Sequence, residues 1–156
     1  MRFAPLLCLF SACASGAYSP RLANRESEGM TSQTPGGDVH IHIEIPGGTF
    51  AAYQLVIHWD PNIAHIREIV SCNARKFPGN PEFDPGTFAT GKTKVFATAV
   101  RAKGYGDYHL VTVKFDRVAA GTTRVDVVVE ALYDDSVVPR RITGILTIQP
   151  RELHFD

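Results

Sequence analysis

The 156-residue sequence is short of several things, and each shortage narrows what it can do. It has three cysteines, and two of them, Cys8 and Cys13, lie within residues 1–16. With that segment removed, Cys72 stands alone and no internal disulfide can form. No His-bearing catalytic motif accompanies Cys72, so a buried or turn-end thiol is the expected role rather than a nucleophile. A single Trp is a thin supply for a face that stacks on sugar rings. Neither sign of charge is in excess, with 16 Lys+Arg against 16 Asp+Glu, which argues against a nucleic-acid surface or a polybasic membrane patch. The chain has no apolar run approaching the roughly 20 residues that a membrane-spanning helix needs. It also lacks Gly-x-Ser-x-Gly, a phosphate-binding glycine loop, His-Glu-x-x-His and Cys-x-x-Cys. No enzyme and no cofactor are expected from these absences. The one ample titratable resource is six histidines.

The N-terminus carries an export pattern. "MRFAPLLCLFSACASGA" has one Arg, a short apolar run and then small residues, with Ala12-Cys13-Ala14 and Ala14-Ser15-Gly16 as small-x-small cleavage sites. The stretch Phe10-Ser11-Ala12-Cys13 is similar to a bacterial lipobox with Phe in place of Leu, which makes Cys13 a candidate lipidation site. A greasy tail after a misplaced start is the plainer alternative. Residues 1–16 are thus expected to be a signal peptide, and 17–37 a polar, aperiodic tether closed by Pro35-Gly36-Gly37. The localisation expected is outside the cell, either secreted or lipid-anchored at the envelope.

From Asp38 the apolar period becomes two. "DVHIHIEI" sets Val39, Ile41, Ile43 and Ile45 on one face and His40, His42 and Glu44 on the other. After Pro46-Gly47-Gly48, "AAYQLVIHW" alternates again, with Tyr53, Leu55, Ile57 and Trp59 together. Asp60-Pro61-Asn62 then turns the chain, because Pro fixes its own dihedral and Asp and Asn bond nearby amides. "IAHIREIV" reads as a strand on its flanking turns, and 71–92 as a loop-rich excursion. "TKVFATAV", "YHLVTVKFDRV", "TTRVDVVVEALY" and "RITGILTIQ" add four strands, with Gly104-Tyr105-Gly106 as a hairpin turn and 151–156 as a C-terminal tail. Six to nine half-buried strands predict an all-β antiparallel sandwich or barrel.

Three side-chain groupings are candidate sites on composition alone. His40, His42 and Glu44 share a strand face and are metal-ligand types, with His58 as an added ligand; a solvated polar face explains them more simply. Asp134-Asp135, with Asp107 elsewhere, offers oxygen ligands for calcium, but the spacing fits no known loop, so a turn is the better reading. Tyr53, Phe96, Tyr105, Tyr108 and Trp59 are the aromatics available to stack on sugars, although parity puts Tyr53 and Trp59 on the core face.

Taken together, the strands resemble a family. "AAYQLVIHWDPNIAHIREI" is similar to the second and third strands of cohesin domains, in which an alternating strand ends in aromatic-Asp-Pro. "TKVFATAV" falls where a fifth strand would, "YHLVTVKFDRVAAGTTRVDV" resembles the family's strand–Ala-Gly-Thr-Thr–strand pattern, and "LYDDSVVPRRITGILTI" resembles its closing segment. The resemblance spans about 38–150 and implies a nine-stranded jelly-roll sandwich that binds without chemistry. It implies a protein partner of the dockerin type. A polysaccharide ligand and a structural envelope role are the alternatives. It also implies a docking sheet containing the third, fifth and sixth strands. On that reading His65 and Arg67, Phe96 and Thr98, and Leu110, Thr112 and Lys114 point outward, with Val95, Ala97, Ala99, Val111, Val113 and Phe115 inward. The corner at Asp60-Pro61 is then structural, with Trp59 as core.

Overall fold

The structure, a computed structural model, describes residues 36–71, 77 and 79–156, with the side chains of 100–103 excepted. The expected signal segment, Cys13 and Cys72 lie outside the described residues. Ten strands follow in order: β1 Gly36–Ile45, β2 Phe50–His58, β3 Ala64–Val70, β4 Glu82–Phe83, β5 Lys92–Lys103, β6 Gly106–Arg117, β7 Gly121–Arg124, β8 Asp126–Tyr133, β9 Ile145–Gln149 and β10 Glu152–Phe155. Two four-stranded sheets form, one ordered β3-β6-β1-β9 and the other β4-β5-β2-β8, and β7 pairs with β10 in a small ribbon. All pairings between the strands are antiparallel. This is the expected antiparallel sandwich.

Alternation explains the core. Val39, Ile41, Ile43 and Ile45 from β1 meet Tyr53, Leu55 and Ile57 from β2, Val95 and Ala97 from β5, and Val111, Val113 and Phe115 from β6, all buried. Each strand presents one apolar face because successive side chains point to opposite sides. The Trp-Asp-Pro corner joins the sheets as expected. Trp59 is buried and its Nε1 donates to the Ala64 carbonyl at 2.9 Å, while Asp60 Oδ1 accepts from the Asn62 amide at 2.9 Å. "IAHIREIV" is indeed a strand, β3.

Four local expectations need correction. β1 begins at Gly36, two residues inside the expected tether, because Gly36 and Gly37 pair with Asp116 and Phe115. The turn at Gly104-Tyr105-Gly106 is an arch rather than a hairpin, since β5 and β6 belong to different sheets. "TTRVDVVVEALY" breaks at Val125, whose buried side chain and 2.8 Å bond to the Arg151 carbonyl end β7 before β8 begins. Finally, 151–156 is no tail: β10 pairs with β7, and Leu153 and Phe155 enter the core. With this last strand the described residues hold ten, close to the expected nine.

Candidate functional site

Candidate binding side chains collect on the outer face of β4-β5-β2-β8. Ala52, Gln54, Val56 and His58 point out from β2, because Tyr53, Leu55 and Ile57 point in. Their partners on β5 are Thr98, Phe96, Lys94 and Lys92, and on β8 Gln54 and Val56 meet Ala131 and Val128. Glu82 of β4 flanks Phe96 from the edge. Phe96 is 41% exposed and Val128 53%, so the face presents an aromatic and a branched aliphatic to solvent. An ion pair lies beside them, Lys94 Nζ to Glu130 Oε2 at 2.7 Å, and Gln54 Nε2 donates to the same carboxylate. The Lys94 and Gln54 hydrogen bonds hold the Glu130 carboxyl below its ordinary range, so it stays an acceptor and is unsuited to proton transfer near neutrality.

Two hollows lie along this sheet, and the smaller one borders Phe96. One, of about 540 Å³, is walled by Ala52, Thr98, Ala99, Tyr133 and Pro139. The other, of about 350 Å³, lies between Glu82, Phe83, Asp84, Lys94 and Phe96. Small side chains at 52, 98 and 99 leave the first hollow open. Its rim is shaped by Asp134, whose Oδ1 accepts from the Arg140 amide at 2.8 Å, the Ser136 amide at 3.2 Å and the Ser136 hydroxyl. Those bonds, the Arg140 amide foremost, keep Asp134 ionised at lower pH than an ordinary carboxyl. Asp134 is thereby a loop clamp, and Asp135 accepts from Thr49 Oγ1 at 2.6 Å. Asp107 lies on β6 of the other sheet.

The expected docking set does not form one face. Phe96 and Thr98 are on this sheet, but His65 and Arg67 on β3 and Lys114 on β6 belong to the opposite sheet. There Arg67 Nη1 pairs with Asp116 Oδ1 at 2.9 Å and Lys114 Nζ with Glu68 Oε2 at 3.0 Å. Thr112 faces outward opposite His40 but is buried there, hydrogen-bonded to His40 and His109, whereas Leu110 is buried in the core and not outward. The cause is a bulge: Ile41 pairs with Val111 but His42 with His109, so Leu110 is an extra residue in β6 and parity inverts at that point. The inversion turns His109 outward beside β1, a placement that simple alternation from Val111 misses.

His109 completes a histidine group. Its ring stacks on His42 at 4.4 Å and 13°, and meets His40 edge-on at 5.4 Å. His40 Nδ1 is 3.0 Å from Thr112 Oγ1, and His109 Nε2 donates to the Val111 carbonyl at 3.0 Å. Burial first, then the His42 charge, lowers the pKa of His109. Glu44 stays exposed, and His58 is on the other sheet. Stacked rings do not converge on a common point, and among the described residues no group of three or more His, Cys, Asp or Glu is arranged to hold a metal. The stacking aromatics do not form a platform: Tyr53 and Trp59 are buried, Tyr108 Oη donates to the Gly104 carbonyl, and Tyr105 is exposed on the arch.

No family model matches the sequence, and no curated protein matches it. Solved structures do. A chain of the CaDoc0917–CaCohA2 complex aligns at TM-score 0.57 and 13% identity, over 70% of this chain and 83% of that one. The chain has the cohesin fold. A non-cellulosomal cohesin from the hyperthermophilic archaeon Archaeoglobus fulgidus aligns at TM-score 0.55 and 14% identity, covering 71% of this chain and 75% of that one. A type I cohesin–dockerin complex from Clostridium thermocellum contains a chain with TM-score 0.50 and 11% identity, over 70% and 82%. At these identities the likeness to cohesins is one of architecture.

Proposed function

We propose that this cohesin-like domain is a non-catalytic binding module that docks a dockerin-type protein domain on the outer face of β4-β5-β2-β8. The observation that carries the reading is Phe96. It is a half-exposed aromatic on a rigid strand, lining a hollow of about 350 Å³ and ringed by Lys94, Gln54, Glu130 and Glu82. An aromatic anchor inside a polar rim is the anatomy of a protein interface. The cohesin architecture of the chain, shared with a type I cohesin–dockerin complex, supports the choice of partner. Export, with or without a lipid on Cys13, rests on the N-terminal sequence.

Titration calorimetry of the full chain against a panel of type I dockerin domains tests the reading, beside a pull-down on insoluble polysaccharide. One dockerin is expected to bind, and Phe96→Ala to weaken it by about tenfold or more, as loss of a central aromatic does. Arg67→Ala, on the opposite sheet, is expected to leave affinity unchanged. Retention on polysaccharide with no dockerin binding would replace the proposal by its alternative, a carbohydrate-binding module. That alternative has little support in side chains, because Trp59 and Tyr53 are committed to the core.

A further inference from the structure

The two four-stranded sheets have four edges between them, and three of these are blunted. β3 carries His65, Arg67 and Glu68 and bulges between Ile66 and Glu68. β4 is two residues long. β8 carries Asp126 and Glu130, bulges opposite Gln54 and Leu55, and is overlaid at its end by Arg141, which bridges Tyr133 and donates to the Glu130 carbonyl at 3.0 Å. Charges, bulges, shortness and covering segments are how sheet edges avoid pairing with other chains. Among the described residues β9 has none of these. Its sequence Ile145-Leu146-Thr147-Ile148-Gln149 holds no charge and no Pro, and it pairs in unbroken register with β1 alone. Among the described residues no backbone hydrogen bond joins β9 to anything but β1. Alternate amides and carbonyls along its far side are therefore without a strand partner among the described residues.

The geometry points to β9 as the edge through which two copies of this chain associate, antiparallel strand against strand about a twofold axis at Thr147. This goes beyond the docking proposal, since β9 lies in the opposite sheet. The occupant is argued from self-complementarity. A twofold at Thr147 sets Ile145 against Gln149 and Leu146 against Ile148, and Thr147 against itself. Leu146 and Ile148 face Ile43 and Ile41, so their pairing extends the core layer across the axis. Thr–Thr and aliphatic pairs are favourable cross-strand neighbours. Ile145, 60% exposed, gains a neighbour on the outer face. No like charges meet, and the chain's formal net charge of +0 at pH 7 puts no long-range repulsion between copies. The interface is isologous, so it closes at two copies, and the blunted edges leave nothing for a filament to grow from.

Sedimentation velocity on the full chain tests this, from about 5 μM to about 500 μM, the range suited to a short interface. A monomer–dimer equilibrium is expected. Thr147→Lys puts two ammonium groups together at the axis and is expected to weaken the dimer by about tenfold or more. Thr147→Glu does the same, and an equimolar mixture of the two variants is expected to restore dimers. Ile145→Lys is a second disruptor if Thr147→Lys fails to reach the parent melting temperature at low concentration. Phe96→Ala, on the docking face, leaves the equilibrium unchanged. A chain monomeric throughout overturns the inference, whatever foreign strand its edge then accepts. So does an association indifferent to both Lys substitutions.

Discussion

Ending the chain at Pro150 removes β10, and the cost can be worked from its contacts. Leu153 and Phe155 are 6% and 5% exposed and pack in the main core, while Glu152 and His154 face solvent. Burying a Leu or Phe side chain stabilises by about 1.5–3 kcal/mol, so the two contribute about 3–6 kcal/mol together. The Arg151 carbonyl also accepts from the Val125 amide at 2.8 Å, and truncation leaves that buried residue's donor without its partner. Against a total stability of about 5–15 kcal/mol for a domain, this is a large fraction. At about 4 °C per kcal/mol for a domain of this size, the melting temperature should fall by about 12–24 °C. Scanning calorimetry on the full chain, the truncation at Pro150 and a Leu153→Ser/Phe155→Ser double variant measures it. Glu152→Ala and His154→Ala are the controls, expected to shift the transition by about 2 °C or less. A truncated chain that melts within about 3 °C of the parent would refute the reasoning and return 151–156 to the role of a tail.

Other consequences are local. Trp59→Phe keeps the ring but leaves the buried Ala64 carbonyl without its 2.9 Å donor, and should cost about 1–3 kcal/mol in chemical denaturation. Tyr53→Phe should leave stability unchanged or raise it, because the Tyr53 hydroxyl is buried without a partner among the described residues; a loss above about 1 kcal/mol would mean the hydroxyl is satisfied. Gly91→Ala should destabilise by about 1–3 kcal/mol, since φ is +80° and a Cβ would lie 2.8 Å from Pro61 Cδ and 3.0 Å from the Trp59 carbonyl. His109 has a folded pKa below its unfolded value near 6.5, so the unfolded chain binds more protons there. Stability should then fall as pH drops through about 6.5 and level off below the folded pKa; His109→Gln should flatten that slope in urea titrations at stepped pH, and an unchanged slope would exclude His109 as its source.

Much of the fold was legible because it depends on period and punctuation. Alternation in "DVHIHIEI" and "AAYQLVIHW" places the same residues in the core that the structure buries, and the Trp-Asp-Pro corner turns as its chemistry dictates. Phe96 and Thr98 lie exposed on β5, as alternation places them. The rest of the docking set failed for a different reason. Alternation says that two residues on one strand share a face; it does not say which sheet the strand joins. Lys114 is on the sheet opposite Phe96 because the chain arches over after Lys103 instead of folding back on itself, and Arg67 because the Trp59-Asp60-Pro61 corner carries the chain from β2 into β3 of the other sheet.

By itself the sequence determined the strand class, the inward residues of each uninterrupted strand and the corner at Asp60, because these follow from backbone geometry over a few neighbouring residues. Only the tertiary structure decided how the strands divide between two sheets, where β6 takes in Leu110 as an extra residue, and that Leu153 and Phe155 close the core. Pairing joins residues far apart in the chain, such as His40 with Thr112 and Thr122 with His154, and one inserted residue inverts every face beyond it. No window along the sequence contains both partners.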